Sequence, residues 1–151
     1  MQLNSLEDTF NLSKKIGKLL SNGDVIFLYG EIGVGKTTFV RSLINNFEMQ
    51  QKIKKSEVLS PTFNIVFNYE IGKIQIMHYD LFRLKNSRDI EELGIFAEAN
   101  SNIVLVEWPK LIEKKPKNRI ELFFSYSENL EKRVVNIKGC GKWNTYDFNK
   151  I

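Results

Sequence analysis

The sequence predicts a three-layer α/β domain of the P-loop kind with a mixed sheet, parallel at its centre and antiparallel, with hairpins, toward an edge. Three observations carry this. Val25-Ile26-Phe27-Leu28-Tyr29 is a short β-branched and aromatic run that passes through a glycine-rich turn into a helical pattern. Ile103-Val104-Leu105-Val106 is continuously apolar, as in a central strand buried on both faces. Residues 63–79 and 120–137 each read as two runs around a polar turn, as hairpins do. Helix and strand alternate early and hairpins come late, which is the order of a mixed sheet with helices packed on it.

Ser5 to Leu20 reads as an amphipathic helix, with Ser5 and Asp8 forming a capping box and Leu6, Phe10, Ile16, Leu19 and Leu20 on one broad face. Asn22-Gly23-Asp24 ends it. After the strand, Gly30-Glu31-Ile32-Gly33-Val34-Gly35-Lys36-Thr37 matches G-x-x-x-x-G-K-[ST], the motif of the P-loop NTPase fold. A phosphate chain must lie against bare backbone N–H groups. Gly30, Gly33 and Gly35 can take positive φ and leave that approach open. The helix that follows, Lys36 to about Phe47, aims its unpaired N–H groups and positive dipole end at the phosphates. Lys36 is placed to reach the β- and γ-phosphates, and the Thr37 hydroxyl to ligate Mg²⁺.

Gln50 to Glu57 is polar and lysine-rich and reads as a mobile loop. Pro61 biases Ser60 toward extended backbone. Phe63 to Tyr69 alternates as a strand, 70–73 turns, and Ile74 to Tyr79 returns. Ser87 to Leu93 is a short helix capped by Ser87 and closed by Gly94, with another turn or two over Ile95 to Ala99. Ile103–Val106 ends at Glu107-Trp108-Pro109. Ile120–Tyr126 and Arg133–Ile137 pair around Ser127-Glu128-Asn129. Residues 1–138 read as one domain and 139–151 as a tail without periodicity.

Length and composition agree. At 151 residues one domain can bury a core, and the 42% apolar and 26% charged fractions are ordinary for a globular chain. No apolar run nears the ~18 residues of a membrane span. The first residues lack the basic and apolar regions of a leader. A single cysteine, Cys140, suits a reducing compartment, so the expected location is cytoplasmic. One Cys and one His do not make a structural zinc site. The 22 basic and 18 acidic residues give +4. Two loose clusters, Lys52, Lys54, Lys55 and Lys110, Lys114, Lys115, Lys117, Arg119, are either solvated loops or contacts for RNA or an acidic partner.

A P-loop NTPase needs an acid at the end of a neighbouring strand to complete the Mg²⁺ shell. Glu107, after four aliphatic residues, fits that role best. Asp80, after a less apolar strand, is a second acid facing the same phosphates. Thr62, in Ser60-Pro61-Thr62-Phe63, sits where nucleotide switches place a hydroxyl that senses the γ-phosphate. His78 is either a core histidine or a group that orients Asp80, two residues on. Arg83 is a phosphate contact, a docking residue or a surface ion pair. Trp108 can lie over the nucleotide, at an interface or under the sheet edge.

The blocks Gly30–Phe39, Ser60-Pro61-Thr62-Phe63, His78-Tyr79-Asp80-Leu81-Phe82-Arg83-Leu84, Glu92-Leu93-Gly94 and Val106-Glu107-Trp108-Pro109, in this order, resemble the bacterial TsaE (YjeE) family over about Leu3 to Lys138. The resemblance implies a cytoplasmic P-loop ATPase, weak alone, using ATP and Mg²⁺ in tRNA threonylcarbamoyladenosine biosynthesis. It implies the TsaD–TsaB heterodimer as partner, reset between turnovers by ATP hydrolysis, and tRNA contacted indirectly through that complex, with neither membrane nor DNA involved. By position it implies Lys36, Glu107, Asp80 and Thr62 as the catalytic set. Glu31, Gly33, Val34, Gly35, Lys36, Thr37, Thr38, Thr9, Trp108 and Arg133 would bind nucleotide, with Thr9 and Arg133 near the adenine. Thr37 and Glu107 would hold the metal. The family usually has Tyr where this chain has Phe82.

The residues leave other functions open. A small-molecule kinase of this fold would need an arginine-bearing lid, and no insertion of that length is present. A GTPase switch would use Asn86-Ser87-Arg88-Asp89 to read guanine, though the lysine of that motif is missing. A non-catalytic nucleotide-binding module would release no phosphate.

Overall fold

In the computed structural model, residues 1–128 and 132–151 are described, and Asn129 of the expected final turn lies outside them. Seven strands form one sheet: β1 (Gln2–Leu3), β2 (Val25–Tyr29), β3 (Val66–Ile71), β4 (Ile74–Asp80), β5 (Ile103–Glu107), β6 (Arg119–Tyr126) and β7 (Arg133–Cys140). The order across the sheet is β1-β7-β6-β2-β5-β4-β3. β6, β2, β5 and β4 run parallel, and the outer pairs β3–β4, β6–β7 and β1–β7 are antiparallel. This is the expected mixed sheet. The central strands are the most apolar: all five residues of β5 and four of five in β2 are buried.

Helices α1 (Leu6–Gly17) and α2 (Lys36–Gln50) cover one face, burying Leu12, Ile16, Phe39, Val40, Leu43, Ile44 and Phe47. The α1 capping box forms as expected: Asp8 N donates to Ser5 Oγ at 3.1 Å and Ser5 N to Asp8 Oδ2 at 3.0 Å. Leu6, expected on the apolar face, is 76% exposed and borders a small cavity instead. The other face is covered over β2, β5 and β4 by α3 (Ser87–Glu92) and its flanking turns, through Leu81, Ile90, Ile95 and Ile112.

Several boundaries differ from the sequence reading. The strand expected from Phe63 begins at Val66, because Pro61 to Ile65 folds into a turn closed by Ile65 N to Pro61 O at 2.5 Å. Ile65 takes φ +69° there, unusual for a β-branched residue, and Phe63 is 84% exposed. The N-cap of α3 is Asn86, not Ser87: Asn86 Oδ1 accepts from Asp89 N at 2.9 Å. The loop after α2 is anchored, with the buried Glu48 carboxylate accepting from Ser56 N at 2.9 Å and Arg41 Nε donating to Val58 O at 2.9 Å. β7 continues to Cys140, and the segment after it packs back: Phe148 is buried against the core and Lys142 pairs with the buried Asp24 at 2.6 Å. Among the described residues, no helix is long and apolar enough to cross a membrane.

Candidate nucleotide site

β2 ends where α2 begins, and the turn between them forms the site. Gly30, Gly33 and Gly35 all have positive φ, as the motif requires. At Gly30 (φ +141°) a Cβ would stand 2.6 Å from the Phe124 carbonyl, so β6 packs directly on this backbone. At Gly35 (φ +111°) a Cβ would meet nothing within 4 Å, because that position faces an open cavity. Gly35 caps α2 without a side-chain hydrogen bond, so the first N–H groups of the helix are left for a ligand.

The cavity, about 280 Å³, is lined by Gly33, Gly35, Lys36, Thr37 and Thr38 on one side and by Ser60, Thr62, Asp80, Phe82, Glu107 and Trp108 on the other. β4 and β5 are in parallel register with Asp80 beside Glu107. Glu107 is buried and its carboxylate accepts from Thr37 Oγ1 at 2.9 and 3.0 Å. Asp80, also buried, accepts from Ser60 Oγ at 2.8 Å, from Thr62 Oγ1 at 2.7 Å and from Phe82 N at 3.0 Å. Lys36 Nζ donates to the carbonyls of Gly30 and Glu31, each at 2.8 Å, and lies 3.9 Å from the centre of the Trp108 ring. Burial lowers the Lys36 pKa, and the charges of Glu107 and Asp80 pull it partly back up.

Four hydroxyl residues and two carboxylates line this cavity, and hard oxygen donors of that kind suit Mg²⁺, which takes only one or two protein ligands beside phosphate and water. Among the described residues, no group of three His, Cys, Asp or Glu forms a cage for a metal by itself. A second cavity, about 190 Å³, opens on the other side of Gly35 and Thr38 and is lined by Thr9, Val34, Phe124 and Arg133. The residues expected near phosphate and those expected near adenine therefore border adjoining cavities across the P-loop.

The chain matches the family model described as "Threonylcarbamoyl adenosine biosynthesis protein TsaE" over residues 3–135. The chain belongs to the TsaE family. Among TsaE relatives, each named tRNA threonylcarbamoyladenosine biosynthesis protein TsaE, it is 38% identical to that of Rickettsia felis over 111 residues, 74% of this chain and 63% of the relative. The chain thus spans less than two thirds of that relative's length. It is 35% identical to the Rickettsia bellii protein over 136 residues, 89% of this chain and 91% of the relative. The crystal structure of YdiB from Bacillus subtilis shares the fold, with a TM-score of 0.74 at 24% identity, over 94% of this chain and 85% of that one.

Around the TsaE motifs the structure adds what spacing could not supply. His78 does not orient Asp80. It is fully buried with Nε2 2.9 Å from Glu107 Oε1, because Glu107 lies on the adjacent strand. Arg83 donates through Nε to Thr62 O at 2.5 Å and through Nη2 to Phe63 O, so it fastens the Ser60–Phe63 loop. Trp108 adopts φ +60°, ψ +48°, a left-handed conformation that costs a non-glycine residue about 1–3 kcal/mol. That twist lets its indole border the cavity, over Lys36 and 4.9 Å from the Phe82 ring. Asn86 and Asp89 are engaged in capping α3, so this pair does not read guanine. No sequence signal marks the His78–Glu107 contact beyond the placement of both at the ends of strands.

Proposed function

We propose that this chain is a Mg²⁺-dependent ATP-hydrolysing subunit of the machinery that makes N6-threonylcarbamoyladenosine at position 37 of tRNA. In this reading it is cytoplasmic, weak alone, and resets a TsaD–TsaB heterodimer between turnovers, meeting tRNA through that complex. The observation that carries the reading is the convergence of Lys36, Thr37, Asp80 and Glu107 on one cavity at the open N-terminus of α2. Membership of the TsaE family supports the pathway.

Each residue has a role in this reading. The P-loop N–H groups, including those of Gly33, Val34 and Gly35, cradle the phosphates, and the backbone of Glu31 closes the loop through Lys36. Lys36 trades its two carbonyl contacts for phosphate oxygens and stabilises charge on the transferring phosphoryl group. Thr37 and Glu107 would hold a Mg²⁺, which would supply positive charge against the phosphates. Glu107, fixed by His78, and Asp80, carrying the Thr62 hydroxyl, are the acids assigned in this reading to orient the attacking water. Thr38 lines both cavities, while Thr9 and Arg133 border the one that would take the adenine. Trp108 shields the lysine from solvent.

The test is phosphate release from ATP by the full chain, with and without a TsaD–TsaB pair and tRNA. Stimulated, Mg²⁺-dependent release is the expected result. No release in any combination would reduce the chain to a binding module, and stoichiometric phosphorylation of an added small molecule would make it a kinase.

A further inference from the structure

One sheet face is bare over its outer half, apart from the buried Glu121. The core cluster opposite α1 and α2 draws on β2, β4, β5 and residues 81–112 and, among the described residues, includes nothing from β6 or β7. On that same face Phe123 and Ser125 of β6 and Asn136 and Lys138 of β7 stand in solvent. Phe123 lies opposite Asn136, and Glu121 opposite Lys138. Glu121 is itself buried and neutralised by Arg119 at 2.8 Å, so it does not oppose an anion. The Phe123 ring stacks on Tyr29, with centroids 4.7 Å apart and planes 7° apart. Lys115 reaches over the pair, its Nζ 3.3 Å from the Tyr29 hydroxyl and 5.7 Å from that ring.

We propose that this bare half-face binds single-stranded RNA. The outer side of the Phe123 ring, backed by Tyr29, offers a base a surface on which to stack, and such stacking is indifferent to sequence. Lys115 on one side and Lys138 on the other stand where a backbone crossing the platform places its phosphates. An acidic peptide would satisfy the lysines but has no use for the rings, which is why the observations favour nucleic acid. The surface uses none of the residues lining the phosphate cavity, so it stands or falls apart from the ATPase reading.

The test is fluorescence anisotropy of the full chain with a short labelled single-stranded RNA of mixed sequence, titrated at several salt concentrations. Binding should weaken with salt. Phe123→Ala and the pair Lys115→Glu with Lys138→Glu should each weaken it about tenfold or more, leaving ATP binding unchanged. If Phe123→Ala lowers the melting temperature, Phe123→Thr, which suits a strand, replaces it. Absence of binding at low salt, equal binding by the variants, or preference for the duplex form would overturn the proposal. So would polyglutamate binding that the lysine reversals weaken while Phe123→Ala does not, because the face would then take an acidic protein.

Discussion

Asp80 and Glu107 end neighbouring parallel strands side by side, yet the molecule holds them in opposite ways. Glu107 is tied to α2 through Thr37 and to β4 through His78, all within regular structure. Asp80 accepts from Phe82 N and from Ser60 and Thr62, hydroxyls on an irregular loop whose Phe63 projects into solvent and whose tip is fastened at the surface by Arg83. One acid therefore belongs to the framework and keeps its position whatever the loop does. The other takes two of its three hydrogen bonds from loop hydroxyls, a pairing that under the proposed function would let the loop respond to a γ-phosphate. Two residues of the same chemistry, adjacent in register, are thus held one by regular structure and one largely by a loop.

The strongest way to break the comparison is on the framework side. If the proposed mechanism holds, Lys36→Ala and Glu107→Ala should each lower stimulated ATP hydrolysis about 100-fold or more, since each removes a charge that the proposal uses at the phosphates or their metal. They should differ in stability. Glu107→Ala leaves the buried His78 Nε2 and the Thr37 hydroxyl without their partner, which costs about 1–3 kcal/mol, readable in urea unfolding. Full turnover by either variant would remove these residues from the mechanism.

On the loop side the effect should be smaller and of another kind. Asp80→Asn keeps the size but removes the charge and turns one of the two accepting oxygens into an NH2 donor. It should lower hydrolysis about tenfold with little change in unfolding free energy, because the groups it releases can turn to water. Thr62→Ala should act in the same direction and less, since Ser60 still reaches Asp80. Arg83→Ala should raise protease cleavage within residues 56–65 without lowering the melting temperature. A cooperative loss of stability in Asp80→Asn equal to that of Glu107→Ala would erase the distinction.

Much of the framework was legible in the sequence, for reasons the same contrast explains. Val25–Tyr29 and Ile103–Glu107 are buried on both faces, so their apolar content alone locates them. The P-loop glycines are dictated by backbone geometry that any residue with a Cβ would strain. The loop half was harder. Alternation from Phe63 predicted a strand, but the pull of Asp80 on Ser60 and Thr62 folds that stretch into a turn, and a contact between residues 18 apart leaves no periodic trace. Of the two readings of His78, the core histidine holds, and its partner Glu107 is invisible in the sequence because adjacency across the sheet leaves no mark on spacing. The twist at Trp108 is likewise invisible, since the residue before a proline is ordinarily extended. The packing of Phe148 escaped because a single buried aromatic in a polar segment has no period.

The smallest expected effect sharpens the framework side at high pH. Tyr29 ends β2 just before the P-loop, and its phenol is raised well above the ordinary value, first by burial and then by the Glu121 carboxylate nearby. Below pH 10.0, the ordinary tyrosine value, both folded and unfolded chains keep the proton, and stability does not depend on this group. Above it the unfolded chain ionises first, so stability falls as pH rises toward the raised folded value. Tyr29→Phe keeps the ring and removes the proton, so its unfolding free energy should decline less steeply between neutral pH and pH ~11 than that of the parent chain. ATP binding at neutral pH should be the same for both, because Tyr29 supports the strand and does not line the cavity. Identical slopes for the two chains would show that the phenol is not held as the buried neighbour of Glu121, and that this end of β2 is less firmly packed than the comparison requires.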